Sequence, residues 1–250
     1  MKIAFLMGGE FRNFAECFPT WTSDFLSQFD YDIFLSTWSI TNVFSDLDTH
    51  YQELNRKEDV TEDNILNIIG KKPRFLNIEE PINFEHRGNG RIYHWQRLLT
   101  TLNRYKSEYD YAIITRPDVI LNKFALAKFI NECDKSVIYS TSRIFITDPP
   151  TETIACADDW FFMSNPKKLI DVLLPIPFMK IADPYLISAG RGEHSHRHLA
   201  EYFIMNNHYI HGIDEIVQHR TYPDHIIVNS YDKERNRDTG HPGWRDKVKK

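Results

Sequence analysis

The chain has 250 residues, 42% hydrophobic and 26% charged, which suits one large folded α/β domain rather than a disordered chain. A formal net charge of -5 argues against a general nucleic-acid binder, which needs a basic face to displace counterions. The three cysteines, Cys17, Cys133 and Cys156, show no CxxC spacing, so neither a zinc site nor a disulfide framework is indicated, and a reducing, cytoplasmic compartment is expected.

In chain order, the apolar run Lys2–Met7 ends in Gly8-Gly9 and predicts a buried first strand followed by a tight turn. The run is too short for a signal peptide, and no stretch approaches the roughly 20 apolar residues of a membrane span. A mixed helical segment covers Phe14–Gln28, and Asp32–Thr37 predicts a second strand. Thr61 caps a helix to Ile69, which Gly70 stops. A short strand follows at Arg74–Ile78. Ile92, Trp95, Leu98, Leu99, Leu102 and Tyr105 share one face of an amphipathic helix over Ile92–Tyr105. Tyr111–Thr115 is continuously apolar and predicts a central strand. A helix over Lys123–Glu132 capped by Asn122, strands at Ser136–Ser140 and Trp160–Met163, and a helix opened by Ser164-Asn165-Pro166 follow. His196–Asn206 predicts the last helix, with short closing strands at Ile210–His219 and Ile226–Val228. Strands alternating with helices imply a mainly parallel sheet with helices on both faces. Ligands then bind at the carboxyl ends of the strands, here just after Met7, Thr37, Thr115 and Met163.

Five segments could carry chemistry. Gly8 and Gly9 allow close backbone approach to a ligand, and Arg12 offers a fork of donors for phosphate. Arg116-Pro117-Asp118 follows the central strand directly, so Asp118 could hold a divalent cation and Arg116 could orient it or touch phosphate. The two literal DxD tripeptides, Asp30-Tyr31-Asp32 and Asp46-Leu47-Asp48, lie away from strand carboxyl ends and are discounted. Asp158 and Asp159 precede an aromatic strand and could contact acceptor hydroxyls. Glu193, after a glycine-rich approach, opens a helix, where the dipole keeps a carboxylate ionised and able to act as a base. His194 and His198 are four apart, but no HExxH accompanies them, so zinc is not expected. Arg87-Gly-Asn-Gly-Arg91, before the amphipathic helix, suits either an anion or a capping loop.

The segments KIAFLMGGEFRNF, YDIFLSTW, YHWQRLLTTLNRYKSEYDYAIITRPDVIL, DDWFFMSNP and GEHSHRHLAEYFIMNN resemble those of bacterial and viral GT-A-type glycosyltransferases of surface polysaccharide synthesis. The resemblance spans most of the first 210 residues as scattered short motifs. It implies a GT-A-like, Rossmann-related α/β fold over 1–250, with a nucleotide-binding half at 1–120, an acceptor-binding half at 121–230 and a tail at 231–250. It further implies a nucleotide-diphosphate sugar donor bound by the first loop and a glycan acceptor near Asp158, Asp159 and Glu193. Asp118 stands where the DxD acid of such enzymes stands, implying Mn²⁺ or Mg²⁺. Residue 116 is Arg instead of the second acid. The expected activity is metal-assisted transfer of a sugar to a glycan or lipid-linked acceptor. The alternative is a non-catalytic nucleotide- or carbohydrate-binding module of the same fold.

Overall fold

A computed structural model describes residues 1–11, 13–41, 57–84, 88–121, 125–141, 145–147, 154–157, 159–179, 195–213 and 227–229. Arg12, Asp46-Leu47-Asp48, Asn122, Asp158, Glu193, His194 and the tail lie outside the described residues. The chain is α/β, with a mostly parallel seven-stranded sheet flanked by helices, compatible with a Rossmann-like fold.

Next to the middle of the seven strands lies β1 (Lys2–Gly8), whose Ile3, Ala4, Phe5 and Leu6 are fully buried. It lies parallel to β2 (Asp30–Trp38) on one side and to β4 (Tyr111–Thr115) on the other. Continuous apolar runs suit strands buried on both faces, and both β1 and β4 are of that kind. β3 (Phe75–Glu79) closes one edge, parallel to β2. Beyond β4 the sheet continues with β9 (Phe161–Ser164), then β6 (Ile138–Ser140) and β10 (Ile210–Gly212). β9 runs antiparallel to both of its neighbours, so it alone in this sheet is reversed. Three further pieces were not expected as strands: β5 (Val119–Leu121), which pairs with β11 (Ile227–Asn229), and the hairpin of β7 (Phe145–Thr147) and β8 (Ile154–Cys156).

Side chains alternate across the sheet, as a period of two requires. Ile3, Phe5, Met7, Ile33, Leu35, Ile113 and Phe161 pack with α1 (Phe14–Asp24), α2 (Glu62–Ile69) and α4 (Ala125–Glu132). Ala4, Leu6, Phe34, Ala112, Ile114 and Phe162 pack with α3 (Asn89–Asn103), α5 (Pro166–Leu173) and α6 (Ser195–Met205). The predicted caps are present: Thr61 Oγ1 accepts from the Asn64 amide at 3.2 Å, and Asn165 Oδ1 accepts from the Lys168 amide at 2.8 Å. Gly70 ends α2 with φ of 71°, a left-handed conformation that a side chain would resist. α3 starts at Asn89, earlier than the apolar stripe announces, because Asn89 and Gly90 are themselves buried. Asn89 holds both the amide and the carbonyl of Met179, at 2.7 and 2.9 Å.

Candidate functional site at the carboxyl edge of the sheet

Strands β1, β2 and β4 bring their carboxyl ends to one edge. Thr115 at the end of β4 pairs with Phe161 at the start of reversed β9, and Ala112 pairs with Ser164. The reversal corrects one expectation: the end of β9 after Met163 points to the opposite edge. The residues before β9 arrive at the ligand edge in its place, and Asp159 comes to lie beside Arg116. Thr115 Oγ1 donates to the Trp160 carbonyl at 2.8 Å and fixes this junction. On the other flank, Trp21 Nε1 of α1 donates to the Val119 carbonyl at 2.8 Å, and Thr20 Oγ1 accepts from the Leu121 amide at 3.0 Å. The turn that carries Arg116 and Asp118 is thus held from both sides.

Four charged side chains from three places in the chain meet here. Arg116 grips Asp118 with a fork, Nε to Oδ1 at 2.9 Å and Nη2 to Oδ2 at 2.6 Å. Its Nη1 reaches Asp159 Oδ1 at 3.4 Å. The other oxygen of Asp159 pairs with Arg91, from the first turn of α3. The carboxylates lie deep and the cations nearer to water: side-chain exposure is 1% for Asp159 and 3% for Asp118, against 13% for Arg91 and 22% for Arg116. Burying four ions costs several kcal/mol per ion unless the geometry returns it, and a bidentate fork is the geometry that does.

The glycine turn sits against this cluster. A Cβ placed on Gly9 would lie 3.8 Å from Cδ of Pro117, the residue between Arg116 and Asp118. Gly9 has φ of 130°, and its amide donates to the Ser36 carbonyl at 3.2 Å. Gly8 has a different reason to be glycine. A Cβ there would come within 2.9 Å of Leu98 and 3.1 Å of Trp95 Cδ1, so its missing side chain lets α3 approach β1. The Arg91 guanidinium lies over the Trp95 ring, 5.5 Å from its centroid.

A second polar array, not picked out from the sequence, lies on the α3 face of β2. Ser36 Oγ lies 2.8 Å from Nδ1 of His94 and accepts from Asn77 Nδ2 at 3.1 Å. Burial lowers the pKa of His94 to about 3, and the charge of Arg97 pushes the same way. Trp38 packs edge-on against His94 and stacks with Tyr93 at 5.7 Å. Among the described residues, His94 Nε2 and Trp95 Nε1 are buried without a hydrogen-bond partner. A signal existed in the contiguous Tyr93-His94-Trp95, but a histidine on an apolar helix face does not announce its partners.

Asp118 is the position expected to hold Mn²⁺ or Mg²⁺. Both of its oxygens are engaged by Arg116, and among the described residues no three of His, Cys, Asp and Glu converge on a point. Among the described residues the donors at this edge are two carboxylates, each facing a guanidinium, and a divalent ion placed on them would lie against two arginines. This set does not fit a protein-held cation. Asp32 of the discounted Asp30-Tyr31-Asp32 lies at the amino end of β2, bonded to Lys2 at 2.9 Å, Tyr109 at 2.7 Å and Arg74 at 3.2 Å. His198 Nε2 lies 2.9 Å from the Pro177 carbonyl. Of the other residues singled out, Gly8, Gly9, Arg116, Asp118 and Asp159 are gathered at one edge, whereas Arg12, Asp158 and Glu193 lie outside the described residues.

No protein-family model matches this chain, and no curated protein matches it. Among the described residues, no helix is long and apolar enough to cross a membrane.

Proposed function

We propose that this chain is a glycosyltransferase of GT-A-like architecture, moving a sugar from a nucleotide-diphosphate sugar to a glycan or lipid-linked acceptor in polysaccharide synthesis, on the cytoplasmic side. One observation carries the reading: Arg116 and Arg91 stand at the carboxyl edge of a parallel sheet, next to the glycine turn that follows β1. That edge is where α/β sheets bind ligands, and guanidinium forks suit a diphosphate. In the reaction the bond between the sugar C1 and the diphosphate oxygen breaks, and a bond from the acceptor oxygen to C1 forms. Negative charge grows on the departing diphosphate, and fixed cations aimed at it stabilise the transition state. If configuration inverts, the acceptor proton passes to a carboxylate, for which Glu193 is the assigned base and Asp158 an acceptor-binding acid. No step is routed through a metal.

The test is incubation with a panel of uridine, guanosine, cytidine and thymidine diphosphate sugars and oligosaccharide acceptors, with release of nucleoside diphosphate as the readout. Turnover with one donor class supports the proposal. Binding without turnover across all donors and acceptors makes the chain a nucleotide- or carbohydrate-binding module.

A further inference from the structure

We propose that Arg91 and Arg116 form a diphosphate clamp that works without a divalent cation, and that Asp118 and Asp159 are positioning residues for it rather than a metal ligand and an acceptor-binding acid. The inference rests on the reading of this edge as a diphosphate site.

The order of the charges is the first argument. Along the cluster the signs alternate, Arg91, Asp159, Arg116, Asp118, so each acid is already neutralised by a neighbouring arginine. A cation recruited to Asp118 would displace the Arg116 fork and leave the guanidinium beside a divalent ion. Depth is the second argument. The acids are at the bottom and the arginine side chains are more exposed, Arg116 most of all, so among the described residues the cluster presents its positive side outward at Arg116. An anion arriving from solvent meets that side first. Surroundings are the third. Trp95, whose indole N–H can only donate, lies under Arg91 with that N–H lacking a partner among the described residues. Gly9 and Pro117, close to each other, put no long side chain between the two parts of the edge.

Rigidity follows from the same contacts. A free arginine loses rotamer freedom when it binds phosphate, and a guanidinium already held by a carboxylate has less to lose. Asp118 holds Arg116 by two bonds, and Asp159 ties Arg91 to Arg116 across the gap between α3 and β4. The two acids thus do for the arginines what the ligands of a metal do for the metal.

The experiment is calorimetric titration of the full chain with inorganic pyrophosphate, first in EDTA and then with Mn²⁺ in excess, with circular dichroism confirming the fold of each variant. Wild type binds pyrophosphate in EDTA. Arg116→Gln and Arg91→Gln each weaken that binding by about ten- to a hundredfold, the value of a charged hydrogen-bond pair. Arg116→Lys, which keeps the charge and loses the fork, weakens it by about tenfold and carries the test if the glutamine variants do not fold. Asp118→Asn weakens it in EDTA as well, an effect that a pure metal ligand would lack. Pyrophosphate bound only in Mn²⁺, with Arg116→Lys equal to wild type, overturns the clamp, as does an absence of binding in both conditions. Sugar transfer is measured separately. Transfer that needs Mn²⁺ and ignores Arg116→Lys removes the clamp and leaves the glycosyltransferase reading standing. Pyrophosphate binding in EDTA without transfer from any donor does the opposite.

Discussion

At the scale of single residues, two glycines side by side do different work. Gly9 is glycine because of its backbone: φ of 130° strains any L side chain, while the nearest atom to an added Cβ is 3.8 Å away, an ordinary contact. Gly9→Ala is expected to lower stability by about 1–3 kcal/mol through conformation and not crowding, read from the urea midpoint at unchanged slope. His94 makes the second prediction at this scale. Its imidazole is held neutral down to about 3 in the folded chain, against an ordinary 6.5. Between those values the unfolded chain binds the extra proton, so this contribution to stability is complete above the unfolded value and is lost as pH falls. The slope approaches about 1.4 kcal/mol per pH unit, or a loss of about 2 kcal/mol at pH 5. Urea unfolding from pH 8 to pH 5 should show a shallower decline in His94→Asn, which cannot titrate; equal declines would remove His94 as the cause.

At the scale of elements, the approach of α3 to the sheet decides the site. Gly8 lets Leu98 and Trp95 come close to β1, and the same closeness brings Arg91 to the end of β4. Gly8→Ala places a methyl 2.9 Å from Leu98 Cδ1 and 3.1 Å from Trp95 Cδ1, so these side chains or the helix that carries them must shift. The expected cost is about 1–3 kcal/mol of overpacking, together with weaker pyrophosphate binding, because Arg91 moves with its helix. A variant that loses stability but binds pyrophosphate as wild type does would show that the position of α3 does not govern the anion site. The helices themselves were legible from caps and stripes: Thr61 and Gly70 bound α2, and Asn165 with Pro166 opens α5. The start of α3 was not, since Asn89 and Gly90 look like loop residues and are buried only because Met179 and Trp38 lie over them.

At the scale of the whole molecule, each end of the sheet carries its own cluster of ion pairs. At the amino end Arg74 is forked onto Glu108 at 2.6 and 2.8 Å, bonds Asp32 at 3.2 Å and lies over Tyr105. These contacts lash strands and turns together far from the glycine turn. Arg74→Ala is therefore expected to lower the unfolding midpoint while pyrophosphate binding stays at the wild-type level; weakened binding in a folded Arg74→Ala chain would show that the two ends are coupled. The proposed base is tested by turnover of the whole chain. Glu193→Gln should abolish turnover with acceptor KM unchanged, whereas Asp158→Asn should raise acceptor KM with turnover kept. If Glu193→Gln turns over as wild type does, the base lies elsewhere or configuration is retained.

The sequence by itself determined the alternation of strands and helices, the burial of Ile3–Met7 and Tyr111–Thr115, and the caps, because these follow from hydrophobic period and local backbone chemistry. It also located Arg116 and Asp118 at a strand end, because a continuous apolar run stops there. Only the tertiary structure decided what those residues face. The direction of β9 depends on which strand it pairs with, and a four-residue apolar strand reads the same in either sense. That one reversal carries Asp159 to Arg116 and, through it, joins Arg91 of a distant helix to the site. Ion pairs between residues dozens of positions apart have no period and leave no local trace in the sequence; they exist only once the sheet order has placed the strand ends side by side.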